Sequence, residues 1–305
     1  MRVPIIFKVV FLYVILAFLS CGNRKANVRY GTREQVVTII GSPDVSSELL
    51  ADDVQSGSVT IIGEPDLGGD EIKEVLNINA DYLPTSRSDL PSQILYRKGY
   101  TVSYNKETMQ PNWVAWHLTP EHTDGEWARP SGNAFHEDAE VPSPKASNYD
   151  YKGSGWTRGH MCPAGDNRWD ADAMYESFLL SNICPQHAEL NSGDWNDIEQ
   201  ECRRWAEKYG GIYIVCGPIF YRQEHEAIGY HKIPVPEAFF KVVLCLNGTP
   251  KGIGFICKNS NGNRKTDFYV NSIAQVERIT GYTFFPKLSE DMAVSVKGTA
   301  ALERW

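Results

Sequence analysis

Hydrophobic and polar positions divide the chain into stretches of different period. Val9–Leu19 is an unbroken apolar run. Gln93–Tyr104 (QILYRKGYTVSY) alternates like a strand, with an interruption at Gly99, and Asn112–Leu118 (NWVAWHL) is a second, aromatic-rich strand. Trp195, Ile198, Cys202 and Trp205 step by 3, 4 and 3, the period of a helix that buries one face. Ile212–Cys216, Phe239–Leu246 and Gly252–Cys257 are short apolar runs of strand length. The last two flank Asn247-Gly248-Thr249-Pro250, a hairpin turn. Val270–Thr280 has the pattern of an amphipathic helix closed by Gly281. Helices and a largely antiparallel sheet in this order predict an α+β fold.

The N-terminal part follows a different pattern. Arg2 and Lys8 precede the apolar run, which is shorter than the about 20 residues needed to span a bilayer. A charged start, a short apolar stretch and small Ser20 before Cys21 predict an export signal of lipoprotein type at residues 1–20. Cleavage would fall before Cys21, whose sulfur would carry lipid. The expected setting is an exported, membrane-anchored bacterial lipoprotein in the periplasm or at the cell surface, with plain secretion the alternative. Residues 22–90 hold 6 basic and 12 acidic residues. Val37-Thr-Ile-Ile-Gly-Ser-Pro-Asp44 recurs as Val59-Thr-Ile-Ile-Gly-Glu-Pro-Asp66. Two copies are too few for a solenoid, which needs about three. Residues 21–79 are therefore expected to form an acidic linker, and 80–305 the functional domain.

Composition narrows the function. The 305 residues, 42% apolar and 22% charged, are ordinary for a globular protein and exclude collagen, coiled coil and wholesale disorder. A net charge of −8 argues against coating nucleic acid by bulk electrostatics but leaves room for a local basic cleft. No Cys pair has the CxxC spacing, so a thioredoxin-like motif is absent. Export would permit disulfides among the other six cysteines, and their pairing is open.

Chemistry concentrates in 151–205: Arg158-Gly159-His160, Asp166-Asn167-Arg168, Ser181-Asn182, Gln186-His187, Asn191 and Glu199. Histidine is the usual general base near neutral pH. Arginine neutralises phosphate. Asparagine offers one neutral oxygen, which suits a largely hydrated Mg²⁺. On one continuous helix, Asn191 and Glu199 would lie about 12 Å apart along the axis, too far to ligate one ion directly. Glu199 would still reach a metal-bound water. One protein ligand, a hydrated Mg²⁺ and one base are sufficient for phosphodiester hydrolysis.

These residues resemble the DNA/RNA non-specific endonucleases of the ββα-metal class, the family of endonuclease G and the secreted Serratia-type nuclease. Thr157-Arg158-Gly159-His160 matches the Asp-Arg-Gly-His signature, and the match continues through Phe178-Leu-Leu-Ser-Asn182, Pro185-Gln186, Leu190-Asn191, Trp195 and Glu199. Gly217–Phe220, Pro234–Lys241, Ile273–Gly281, Tyr104-Asn105 and Pro111–Leu118 extend it over about 80–305. The resemblance implies a central antiparallel sheet flanked by helices, with a ββα-metal (His-Me) finger carrying His160 and Asn191. It implies His160 as general base, Asn191 as direct ligand of Mg²⁺ (or Mn²⁺), and Glu199 as holder of a metal-bound water. Arg129, in Arg129-Pro-Ser-Gly-Asn-Ala-Phe135-His-Glu-Asp138, resembles the arginine that stabilises the pentacovalent phosphate. Arg158, Asn182 and Arg203 would orient the site or contact phosphate. The implied reaction is cleavage of DNA and RNA to 5′-phosphate ends, with a homodimer and an unidentified inhibitor protein as further partners. Thr157 departs from the signature aspartate: it keeps a hydroxyl and loses the charge, so it would alter the His160 pKa or metal affinity without abolishing activity.

Three other readings stay open on the residues alone. His160, Cys162, Cys184 and His187 supply the donors of a structural zinc site. Cys162 with a histidine would make a nucleophile pair. The same fold without catalysis would be a nucleic-acid-binding lipoprotein.

Overall fold

The computed structural model describes residues 25–30, 35–40 and 82–305. The leader, Cys21 and the second repeat copy lie outside the described residues. The larger of two compact units, residues 27–39 with 65–305, carries the sheet and the site; the smaller, 1–26 with 40–64, lies almost wholly outside the described residues. Among the described residues no helix is long and apolar enough to cross a membrane.

The strands, in chain order, are β1 (Lys25–Tyr30), β2 (Gln35–Ile40), β3 (Gln93–Tyr96), β4 (Thr101–Asn105), β5 (Gln110–Leu118), β6 (Thr157–His160), β7 (Ile183–Gln186), β8 (Ile212–Ile219), β9 (Ala227–Ile228), β10 (Ile233–Pro234), β11 (Ala238–Cys245), β12 (Lys251–Lys258) and β13 (Val270–Asn271). Five helices matter here: α1 (Ala171–Ser177), α2 (Ala188–Ser192), α3 (Asp194–Tyr209), α4 (Ile273–Thr280) and α5 (Glu290–Lys297). The main sheet runs β1-β2-β3-β4-β5-β8-β11-β12-β13. The pairs from β3 to β13 are antiparallel, and β2 joins β3 in parallel at Val37 and Ile94. The Gly99 interruption is a chain reversal, so the run 93–104 is two strands, β3 and β4, paired from Tyr96–Thr101 outward.

Both faces of this sheet are covered, which is why its central strands are continuous apolar runs. On β11, Phe239, Val243 and Cys245 pack with the α3 residues Trp195, Ile198, Cys202 and Trp205. Their neighbours Phe240, Val242 and Leu244 pack with Ile273 and Val276 of α4 and with Val296. Each large side chain so buried contributes about 1.5–3 kcal/mol. Helix α3 ends at Gly210, which takes the left-handed conformation (φ 77°) and returns its N–H to the Ala206 carbonyl. Helix α4 is shorter at its start than the period indicates. A capping box between Ser272 and Gln275 sets its first turn, and Val270–Asn271 is spent as an edge strand on β12.

The site is carried by a separate hairpin. β6 and β7 pair antiparallel from Thr157–Gln186 to His160–Ile183, and α2 follows directly. This is a ββα finger laid against α3.

Candidate active site

Gly159 lies opposite Cys184 in the hairpin, and the Gln186 side chain fills the space its Cβ would need: Oε1 would be 2.1 Å from it. Only glycine lets the finger close here. His160 follows at the strand end and is 7% exposed. Its ring is packed against Phe135 (5.2 Å between centroids) and edge-on to Phe178 (5.1 Å). Trp195 of α3 donates Nε1–H to the His160 carbonyl at 3.3 Å, bracing the finger on the helix. Nε2 is buried without a hydrogen-bond partner. Burial, reinforced by the nearby Arg129 charge, lowers the His160 pKa from 6.5 to about 3. The imidazole is therefore neutral at neutral pH, the form a general base requires.

Arg129 and Arg158 share its aromatic surroundings. The Arg129 guanidinium lies 5.4 Å from the Phe178 ring centre and 5.9 Å from that of Phe135. That of Arg158 lies 5.5 Å from Phe135 and 5.2 Å from Tyr151, and its Nη2 donates to the Asn148 carbonyl at 2.9 Å. Phe135 thus touches the base and both arginines at once. Cations on ring faces are attracted by the ring quadrupole.

Asn191 sits in α2, and its Nδ2–H donates to Thr157 Oγ1 at 3.1 Å. The Thr157 hydroxyl donates in turn to the Gln186 carbonyl at 2.7 Å. This chain spends the Asn191 amide nitrogen inside the finger and leaves its carbonyl oxygen as the remaining ligating atom. Glu199 is not on the same helix. Gly193 (φ −107°, ψ −109°) breaks the chain between α2 and α3, so the single-helix spacing expected for the pair does not apply.

Glu199 belongs to a second layer beneath the finger. Burial raises its carboxyl to about 7, opposed by the Lys241 charge. Lys241 is fully buried in the middle of β11, with its ammonium 4.4 Å from the Trp195 ring centre and 5.6 Å from that of Trp116. Arg203 pairs with Asp166 at 2.8 Å, and the other Asp166 oxygen accepts from Trp116 Nε1 at 3.1 Å. Arg203 is thus placed to orient this layer. Asn182 is fully buried and wholly engaged with backbone. It donates to the Cys162 and Ser177 carbonyls at 2.8 Å and accepts from Cys162 N–H at 2.9 Å. The reading of the residues missed Phe135 and Phe178 as a platform and Lys241 as a buried cation. A lysine inside FFKVVLCL was the available signal for the last.

The finger's donors fit a hydrated hard cation, because Asn191 offers one oriented neutral oxygen. They do not fit zinc. Among the described residues no three His, Cys, Asp or Glu side chains converge as a metal site, so the His160–Cys162–Cys184–His187 set is not assembled. All six cysteines in this region are buried free thiols. Burial pushes the Cys162 thiol well up, which removes the thiolate a nucleophile pair would need.

The profile of the DNA/RNA non-specific endonuclease family matches residues 82–291. Nuclease EXOG, mitochondrial, of Xenopus laevis is 36% identical over 208 residues, which cover 63% of this chain and 58% of that protein. Endonuclease G, mitochondrial, of Bos taurus is 31% identical over 211 residues, covering 65% and 70%. The solved structure of an EndoG/EndoGI complex matches with a TM-score of 0.65 at 26% identity, over 75% of this chain and 97% of that one. The chain spans less than two thirds of the length of the EXOG relatives.

The mitochondrial names of these relatives overturn the expected bacterial exported lipoprotein. The physical reason is that the leader's charge is ambiguous. Arg2, Lys8, Arg24, Lys25, Arg29 and Arg33 precede the first acidic residue, Glu34. A basic, acid-free start of this kind is shared by mitochondrial targeting segments. Nothing in the relatives supports lipid on Cys21, membrane anchoring or a dimer.

Proposed function

The chain belongs to the DNA/RNA non-specific endonuclease family, and from that premise we propose that it hydrolyses phosphodiester bonds of DNA and RNA. The observation that carries the reading is the neutral, buried His160 with an unpartnered Nε2, on the same two phenylalanine rings as Arg129. His160 Nε2 takes the proton of the attacking water as the new O–P bond forms. Arg129 meets the charge that accumulates on the pentacovalent phosphate. The P–O3′ bond breaks and the departing O3′ takes a proton from solvent water, leaving a 5′-phosphate and a 3′-hydroxyl. Asn191 would hold Mg²⁺ directly and Glu199 would hold it through water. When bound, the ion supplies Lewis-acid stabilisation of phosphate charge. Arg158 orients the substrate from the same aromatic platform, and Arg203, Asn182 and Thr157 keep the supporting groups in place. Residues 80–305 form the catalytic domain and 21–79 an acidic linker, of which 25–30 and 35–40 add strands to the main sheet. The solved neighbour is a complex on EndoG inhibition, and an inhibitor protein is proposed here as a partner class.

The test is digestion of plasmid DNA and total RNA by the full chain, with Mg²⁺ and with EDTA, beside His160→Ala. Mg²⁺-dependent cutting of both substrates, lost in the variant, is the expected result. A wild-type rate in His160→Ala would overturn the mechanism. Binding without cutting at any divalent metal would replace it with a non-catalytic nucleic-acid-binding role.

A further inference from the structure

Beside the base lies an open cleft of about 400 Å³, lined by Asn133, Asn148, Tyr149, Lys152 and Arg158. Arg158 ties it to the site. It precedes His160 by two residues on β6, so both side chains leave the same face of the strand, about 6.6 Å apart along it. The cleft therefore opens one strand pleat from the position of the base.

An aromatic ring stands on its wall. Tyr149 is 83% exposed, yet it stands in a helical turn, Asn148–Tyr151, that is pinned on several sides. Asp150 accepts from the Ser147 N–H and hydroxyl at 2.9 and 2.8 Å, and from the His231 N–H at 3.0 Å. His231 Nδ1 lies 2.9 Å from Asp150 Oδ2, the oxygen that also accepts from Ser147. Asn148 Nδ2 donates to the Phe135 carbonyl at 2.6 Å. Tyr151 is buried under the Arg158 guanidinium. Asn148 Oδ1 is left without a partner at the cleft. Among the described residues neither Lys152 nor Arg158 is paired with a carboxylate.

An exposed ring on a pinned turn, two cations without a carboxylate partner and amide groups are the elements that hold single-stranded nucleic acid. We infer that Tyr149 is a stacking platform for an unpaired nucleobase adjoining the scissile phosphate, with Lys152 and Arg158 on that nucleotide's phosphate. The inference rests on the nuclease reading for what is cut, and it adds a substrate class: strands with unpaired bases are taken over intact duplex. A base inside a duplex has both faces covered and reaches Tyr149 only by leaving the stack.

The experiment titrates the full chain, in EDTA, into a single-stranded oligonucleotide carrying 2-aminopurine, whose fluorescence is quenched on stacking. A duplex of the same sequence runs in parallel. Wild type and Tyr149→Trp should quench and bind the single strand more tightly than the duplex. Tyr149→Ala should lose the quench and weaken single-strand binding on the order of 5- to 150-fold, the worth of one base–aromatic stack. The single-strand advantage collapses with it. Retained quench and affinity in Tyr149→Ala would overturn the inference, as would an equal loss on the duplex. Cutting assays with Mg²⁺ separate the two readings. If nothing is cut while the Tyr149-dependent quench holds, the nuclease reading fails and the stacking site stands. If cutting depends on His160 while the quench is indifferent to Tyr149, the reverse is true.

Discussion

Thr157→Val isolates the role of the hydroxyl that replaces the signature aspartate. Valine keeps the branched shape and removes two hydrogen bonds, to the Gln186 carbonyl at 2.7 Å and from Asn191 Nδ2 at 3.1 Å. Each is worth about 1 kcal/mol to folding, so the fold should lose about 1–3 kcal/mol. For a domain of this size that lowers Tm by about 2–4 °C per kcal/mol. The functional loss should be larger than the stability loss. The freed Asn191 amide no longer fixes which of its atoms faces outward, and loss of such an orienting partner costs about 10- to 100-fold in metal affinity. The assay is plasmid cutting against Mg²⁺ concentration. Thr157→Val should shift half-saturation upward by that factor and recover most of its rate at high metal, while Thr157→Ser stays close to wild type. Thr157→Asp accepts from Asn191 but cannot donate to Gln186, so it should lose thermal stability, while its added negative charge beside the ligand should move half-saturation to lower metal. A Thr157→Val enzyme with an unchanged metal titration would refute the chain from Gln186 through Thr157 to Asn191.

Other outcomes follow from single contacts. Phe135→Leu should keep the fold, by near-UV circular dichroism, and lower cutting by about 10- to 100-fold, because small displacements of reacting groups cost that much; full activity would remove the platform from the argument. Arg97 and Asp138 form a buried ion pair at 2.6 Å, and Asp138 also accepts from the Ser181 hydroxyl at 2.6 Å. Arg97→Met should cost about 3–5 kcal/mol by urea denaturation, and a loss below about 1 kcal/mol would contradict it. His117, half-buried against the Tyr213 ring, has its pKa lowered by desolvation from 6.5 to about 4, and His160 is lowered to about 3. Their unfolded forms bind protons first as pH falls, so their stability contribution is full above 6.5 and is lost as pH drops towards these values. His117→Phe should flatten that acid slope in pH-dependent melts; an unchanged slope would show that His117 does not carry it.

The main sheet and its helices were legible because burial on both faces imposes continuous apolar runs on β8, β11 and β12, and a clear helical stripe on α3. Local breaks were less so. Gly99 reads as an interruption, yet only pairing of Tyr96 with Thr101 shows that the chain reverses there. Gly193 carries no sequence signal that separates a helix break from a tolerated glycine. The individual chemical groups, His160, Asn191 and Arg129, were legible as residue types in a motif. What joins them was not, since Phe135 and Phe178 are ordinary core residues by pattern. Their role exists only where β6 brings His160 onto the rings already holding Arg129. Lys241 had a signal, a charge within an apolar strand, but its place over Trp195 depends on β11 and α3 meeting in space.

Charge shows how an acidic chain serves a polyanionic substrate. The net −8 is a sum over the whole sequence, and residues 22–90 alone contribute 12 acidic against 6 basic residues. At the site the arrangement matters more than the sum. Arg97 and Arg203 are paired with Asp138 and Asp166, so their charge is cancelled within the fold. Arg129 and Arg158 are held instead by the faces of Phe135, Phe178 and Tyr151, which attract a cation without neutralising it. The same repulsion from Arg129 that helps keep His160 neutral is thus available to a phosphate placed between them. An aromatic platform serves both needs where a carboxylate would serve neither: it fixes the arginines, and it leaves their field directed at the substrate.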